Sequence, residues 1–305
     1  MMSEQIAKNV GPAHLDIAWE ERGDPTHPTV LLVMGLAGQL VSWPFGFLEA
    51  LVARDLHVVR FDNRDAGRST HMRDAVPPNL PAVLAGDRSS ASYTLSDMAA
   101  DAVGLLDVLK LDAAHVVGAS MGGEIAQTIA IEHPARVRSL TTMMATTGDP
   151  SVGQVHPATM KALFGGPPAR TRDEVVARAV RNVAVVGSPA FPTDPAAVAE
   201  TAGLAYDRDY DEVAIARQAV AQVASGDRTT LLRTLDVPAL VVHGLADTMR
   251  DPSGGRATAA AIPGAELVLI DGMGHNLPPG LWDRVADHIA AVVQKGEARR
   301  PAARR

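Results

Sequence analysis

One serine stands where its neighbours can make it a nucleophile. Between Leu111 and His133 the chain reads LDAAHVVGASMGGEIAQTIAIEH. The short apolar run His115–Gly118 predicts a strand and Gly118-Ala119-Ser120-Met121-Gly122 a sharp turn. Ile125 and Ile129, recurring among small alanines, predict a helix that stops at His133. The stop has a cause, because Pro134 pushes the residue before it away from helical angles. A serine at the apex of strand, turn and helix, with glycine two residues to either side, matches the Gly-x-Ser-x-Gly nucleophile elbow. The glycines let strand and helix pass close together, and the strained turn lifts the hydroxyl above the sheet edge. The helix N-terminus behind Ser120 offers free N–H groups and a positive dipole end to an oxyanion.

A serine hydroxyl reacts poorly at neutral pH without a base within hydrogen-bond reach, itself oriented by an acid. Behind an elbow of this kind the chain order is nucleophile, acid, base, each on a loop after a core strand. Of ten histidines, His275 fits that order best. It lies in Gly272-Met273-Gly274-His275-Asn276-Leu277-Pro278-Pro279, between the last strand and the last helix. His243 ends an apolar run and reads as a buried structural histidine, while His115 and His133 read as strand-start and helix-end residues. For the acid, Asp247 in His243-Gly244-Leu245-Ala246-Asp247 ranks first and Asp149 second. Asp251 lies slightly beyond, and any of the three has the alternative reading of a turn aspartate. An oxyanion hole needs two backbone donors. Met121 supplies one, and Leu36 in Gly35-Leu36-Ala37-Gly38 the other.

These residues need a frame. Leu15, Ile17 and Trp19 alternate along one strand, and Thr29–Met34 is apolar throughout, as a strand buried on both faces requires. His57–Phe61, Ser139–Met143, Val237–His243 and Glu266–Ile270 are further strands. Thr94-x-x-Asp97 resembles a capping box. It opens a helix with Met98, Ala102, Leu105, Leu106 and Leu109 inward and Asp97, Asp101 and Asp107 mostly outward. A last helix carries Leu281, Val285, Ile289 and Val292. Residues 150–235 hold no convincing core strand but several helical patterns.

Alternating strands and helices imply a parallel sheet covered on both faces, and a helical block between two core strands implies a cap over the strand ends. The resulting division is a core of residues 1–147 and 237–295, a helical cap at 148–236 and a basic tail at 296–305 expected to be disordered. The long connection at 74–92 is a candidate border of the pocket. The polar turn from Asp62 to Ser69 lacks the oxygen-ligand spacing of a calcium loop. It reads as a structural turn tying loops together through arginine.

Composition narrows the class. The 305 residues are 47% hydrophobic and 21% charged, enough to bury a substantial core. A net charge of −7 argues against a nucleic-acid partner. With no cysteine there is no disulfide, no thiolate metal site and no cysteine nucleophile. No stretch has signal-peptide or membrane-span character, so a soluble cytoplasmic protein is expected.

Taken together, GASMGG, MGLAG, RFDNRDAGRST, HGLAD and GMGH occur in an order that resembles the α/β-hydrolase superfamily over residues 14–294. The chain is most similar to the serine esterase and lipase branch that includes aclacinomycin methylesterase. It differs in carrying Met34-Gly35 where many relatives carry His-Gly. The resemblance implies an eight-stranded, mostly parallel sheet with an inserted cap. It also implies carboxylic ester hydrolysis through an acyl-enzyme, by Ser120, His275 and Asp247, without cofactor or metal. A serine at the elbow disfavours haloalkane dehalogenases and epoxide hydrolases, which carry aspartate there. Thioesterases, lipases and perhydrolases share the triad and stay open, as does a non-catalytic small-molecule receptor on the same fold. A dinucleotide-binding reading fails because Ser120 occupies the second glycine of Gly-x-Gly-x-x-Gly. For substrate, Trp43 after the oxyanion loop and Met160, Leu163, Phe164, Val183, Val185 and Phe191 in the cap suit an apolar acyl pocket. Each singly is equally a core residue of the cap.

Overall fold

An eight-stranded sheet organises the computed structural model, which describes residues 4–164 and 169–299. Its strands are β1 (Gln5–Val10), β2 (Leu15–Arg22), β3 (Thr29–Val33), β4 (His57–Phe61), β5 (Ala114–Ala119), β6 (Val137–Met143), β7 (Ala239–Gly244) and β8 (Glu266–Ile270). They lie in the order β1-β2-β4-β3-β5-β6-β7-β8. The β1/β2 and β2/β4 pairs are antiparallel and every other pair is parallel. Helices α1 (Phe45–Val52), α2 (Leu80–Leu84), α3 (Leu95–Val108) and α4 (Met121–Glu132) precede β6. Between β6 and β7 come α5 (Pro157–Phe164), α6 (Arg172–Val186), α7 (Pro195–Arg208), α8 (Glu212–Ser225) and α9 (Thr229–Leu232). Then α10 (Ser253–Ala261) precedes β8, and α11 (Trp282–Ala298) ends the fold.

The unbroken apolar runs have a direct cause. In β3, Leu31 and Val33 enter the core layer beneath α3, α4 and α10, while Val30 and Leu32 enter the layer beneath α1 and α11. Alternate residues thus bury on opposite faces, and every residue of β3, β5 and β7 is buried. Each such leucine or valine contributes roughly 1.5–3 kcal/mol of burial. The outermost strand β1 shows no such signal. Only Ala7 and Val10 are buried, and its pairing slips between them.

Three expectations are corrected by packing. Asp101 does not face solvent: it is fully buried, and Arg64 grips it with Nε at 2.6 Å and Nη2 at 2.7 Å. Helical spacing puts Asp101 beside Met98 and Leu105, and the arginine that neutralises it comes from the polar turn after β4. Residues 74–92 do not line the cavity beside Ser120. Instead Val83 of α2 packs on Val220 and Ala224 of α8. Finally, α11 continues to Ala298, with Gly296 pressed against the Arg138 carbonyl, so the expected tail begins inside the helix. Residues 300–305 lie outside the described residues.

The polar turn does tie loops together. Asp65 takes two hydrogen bonds of 2.8 Å from Arg217 of α8 and one of 2.7 Å from the Tyr93 hydroxyl, while Asp62 pairs with Arg208 of α7. Removing one partner of a buried pair strands the other charge. Asp101→Ala is therefore expected to lower stability by about 3–5 kcal/mol in urea unfolding. Asp107→Ala, on the exposed face of the same helix, should change it by less than about 1 kcal/mol.

Candidate active site

Ser120 sits between β5 and α4 with φ 55° and ψ −124°. A non-glycine residue with positive φ carries roughly 1–2 kcal/mol of strain. Bonds on both sides hold it. The Ser120 N–H donates to the Met143 carbonyl at 2.9 Å, and the Ser120 carbonyl accepts from the Gly123 N–H at 2.8 Å. The flanking glycines are required by contact. A Cβ on Gly118 would stand 2.0 Å from the Gly122 carbonyl oxygen, and one on Gly122 would stand 2.0 Å from that of Val33. Strand β5, helix α4 and the end of β3 are thus in backbone contact, which fixes the direction of the Ser120 side chain.

One imidazole joins three of the residues singled out above. His275 Nδ1 lies 2.7 Å from Asp247 Oδ2, and its Nε2 lies 3.0 Å from Ser120 Oγ. A carboxylate can only accept, so Nδ1 carries the proton and Nε2 is free to accept from the serine hydroxyl. The other Asp247 oxygen accepts from the backbone N–H groups of Met249 at 2.9 Å and Arg250 at 2.8 Å. Burial alone would raise the Asp247 carboxyl. The His275 imidazole bonded to it, the His243 ring beside it and the Arg250 N–H outweigh that, and hold the group well below the usual carboxylate range. His243 is fully buried, 3.5 Å from Asp247, and donates Nε2–H to the Arg250 carbonyl at 2.8 Å. Asp149 and Asp251 instead accept from Ser151 and Ser253 in their own turns.

The loop bearing His275 is buttressed by the helical insertion. The His275 N–H donates to the Val186 carbonyl at 2.6 Å, and the Gly274 N–H donates to Ser188 Oγ at 2.9 Å. A Cβ on Gly274 would stand 2.2 Å from the Gly187 carbonyl. These contacts come from the end of α6, where no sequence signal points to the site.

The loop after β3 presses on the serine from the other side. A Cβ on Gly35 would stand 2.9 Å from the Ala119 carbonyl and 3.1 Å from Ser120 Cβ. Leu36 follows, lining the cavity beside Ser120, and among the described residues its N–H meets no backbone carbonyl. Met121, as the first residue of α4, also has no carbonyl one turn earlier to bond. The Gly38 N–H closes a turn on the Gly35 carbonyl at 3.1 Å, and within it Ala37 adopts φ 63°. Asn63 Nδ2 donates to the Met34 carbonyl at 2.9 Å, and the Ala37 N–H donates to Gln218 Oε1 at 3.1 Å. A glutamine in an amphipathic helix carries no sequence signal of such a role.

Two cavities meet here. One of about 250 Å3 is lined by Met34, Leu36, Trp43, Ser120, Met143 and His275 among others. A larger groove of about 590 Å3 shares Ser42, Pro44, Asn276 and Leu277 with it and runs between α6 and α7. Val183, Trp282 and the stacked pair Tyr206 and Tyr210 line that groove. Of the expected pocket residues, Trp43 lines the smaller cavity. Met160 is 47% exposed on α5 and lines neither, and the side chain of Phe164 lies outside the described residues.

The sheet order, the insertion between β6 and β7 and the serine elbow define an α/β hydrolase. A family model described as the alpha/beta hydrolase fold matches residues 28–279, and the chain belongs to that family. Among individual proteins, it is 31% identical over 294 residues to rhodomycin D methylesterase DnrP of Streptomyces peucetius, covering 90% of this chain and 93% of that one. It is 30% identical, with the same coverage, to rhodomycin D methylesterase DauP of Streptomyces sp. strain C5. The enol-lactonase of Burkholderia xenovorans LB400 shares the fold with a TM-score of 0.68 at 23% identity, over 96% of this chain and all of that one.

The glycine contacts carry a direct expectation. Gly122→Ala must push α4 away from the Val33 carbonyl, and is expected to lower stability by about 3 kcal/mol. Thermal unfolding followed by circular dichroism checks it.

Proposed function

We propose that the protein is a serine carboxylic ester hydrolase, acting on short- to medium-chain esters or on methyl esters of bulky apolar acids. The carrying observation is the His275 imidazole within hydrogen-bond distance of both Asp247 and Ser120. In this reading His275 Nε2 takes the Ser120 proton as Oγ attacks the ester carbonyl carbon. The tetrahedral oxyanion is held by the N–H groups of Leu36 and Met121. The carbon–oxygen bond to the alcohol then breaks, and the leaving oxygen takes the proton back from His275. Water, deprotonated by the same nitrogen, attacks the acyl-enzyme and releases the acid and Ser120. Asp247 stays ionised throughout, fixing the imidazole tautomer and stabilising its cationic form.

The cavity sizes and the relatives support the substrate class. The smaller cavity suits the reacting carbonyl with a compact group, and the adjoining groove, faced by Tyr206, Tyr210 and Trp282, suits a large flat apolar body. Both named relatives are methylesterases. Residues 148–236 act in this reading as the cap over a core of residues 1–147 and 237–295, supplying one wall of the groove.

Hydrolysis of p-nitrophenyl esters from acetate to palmitate, followed by methyl esters of polycyclic acids, tests the proposal. Short and medium chains are expected to turn over, and methyl esters of bulky acids to turn over with higher kcat/KM. Ser120→Ala should lose about 10^4-fold or more in kcat, and Asp247→Asn about 10^3- to 10^4-fold. Asp149→Asn should stay within about 2-fold of wild type, since it serves only its own turn. Wild-type turnover in Ser120→Ala, or a larger loss in Asp149→Asn than in Asp247→Asn, would overturn the assignment.

A further inference from the structure

We propose that Gln218, on α8, is a positioning residue for the oxyanion loop: its amide anchors the Ala37 N–H, so fixing the Leu36 Cα and, through it, the adjoining peptide that carries the Leu36 N–H. The inference rests on the esterase reading only in giving Leu36 that task. Gln218 is fully buried, and it is separated from Ala37 by 181 residues. Both ends of its amide are engaged: Oε1 accepts from the Ala37 N–H at 3.1 Å, and Nε2 donates to the Arg64 carbonyl at 2.8 Å. A backbone N–H only donates and a carbonyl only accepts, so the amide can sit one way round.

The peptide that Gln218 holds is the one able to move. In the turn closed by Gly38 on Gly35, the Leu36–Ala37 peptide is central. Ala37 is an alanine at φ 63°, in the region that favours glycine. A turn of this kind relaxes by rotating its central peptide, changing ψ of Leu36 and φ of Ala37 together; the Leu36 N–H, in the preceding peptide, shifts with it through the shared Leu36 Cα. The N–H of that peptide is the group bonded to Gln218, so rotation would break the bond and leave a buried amide oxygen unpaired. On the other flank, Asn63 holds the Met34 carbonyl and Gly35 abuts Ser120. Leu36 therefore lies between two anchors, one from the core and one from the insertion.

Gln218 is not needed to dock α8. Arg217 pairs with Asp65 through two bonds of 2.8 Å, and Gln222 donates to Glu124 at 2.9 Å, one helical turn on. An apolar residue of similar size would satisfy packing alone. An amide spanning two core loops does something packing does not.

Two measurements test this. The first is amide hydrogen exchange at Ala37, which needs no substrate. Ala37 is itself exposed, so protection of its N–H depends on Gln218. Gln218→Met should raise its exchange rate about 10-fold or more while leaving β5 and α4 amides unchanged. The second is kinetic. Gln218→Met should lower kcat about 10- to 100-fold with KM within about 2-fold, and weaken a trifluoromethyl ketone inhibitor by the same factor as kcat. Adding Ala37→Gly should restore most of the loss, because glycine takes the left-handed conformation without help. A general destabilisation of α8 would not be rescued in this way.

The proposal falls if the Ala37 amide exchanges equally fast in both proteins, if kcat and inhibitor affinity are unchanged, or if Ala37→Gly restores nothing. Should Gln218→Met fail to fold, Gln218→Asn, too short to span both loops, carries the same expectations. A wild-type protein that hydrolyses no ester counts against the esterase reading, and the exchange measurement still decides whether Gln218 holds the peptide.

Discussion

A left-handed backbone at Ser120, a conformation that L-residues resist, is the constraint to which the surrounding structure answers. Such a conformation persists only where its neighbours over-determine it. Here they do so by contact between backbones. Gly118 meets Gly122, Gly122 meets Val33, and Gly35 meets Ala119, each too close for a side chain. Because β3 and β5 are adjacent and parallel, their C-terminal ends deliver the loop carrying Leu36 and the elbow carrying Ser120 to one edge. The same edge receives Asp247 after β7 and His275 after β8. Four loops converge because four parallel strands end together.

The helical insertion is bound into that arrangement by directional bonds as well as by apolar packing. Arg208 pairs with Asp62, Arg217 with Asp65 and Arg228 with Glu124, and each of these side chains is almost wholly buried. Buried ion pairs contribute little net stability against apolar replacements, since desolvation offsets much of the attraction. Their geometry is nonetheless demanding, because a guanidinium displaced from its carboxylate leaves both charges unsolvated. They therefore fix where the insertion sits. The loop of His275, held by Val186 and Ser188, inherits that position.

What could be read from the sequence follows from the range of the interaction involved. The elbow is local: strand, glycines, serine and helix follow one another within a few residues, so its physics is written in adjacent letters. That His275 and Asp247 come onto neighbouring loops was legible because each lies just after an apolar strand run. Asp101 was not, since nothing beside it in the helix announces that Arg64, 37 residues away, would bury it. Gln218 was further out of reach, with a partner 181 residues distant and no local pattern to distinguish it from any other polar helix residue. The edge strand β1 was missed for a different reason. Two buried side chains and a pairing slip leave no alternation to detect.

The scarcity of aromatic residues has a consequence beyond packing. Only three tryptophans occur in the chain. Trp19 is buried in β2 and lines neither cavity, whereas Trp43 lines the smaller cavity and Trp282 the groove. Two of the three indoles thus border the two cavities. Filling either cavity changes the polarity around an indole, so the molecule carries its own optical gauge of occupancy, read without a label.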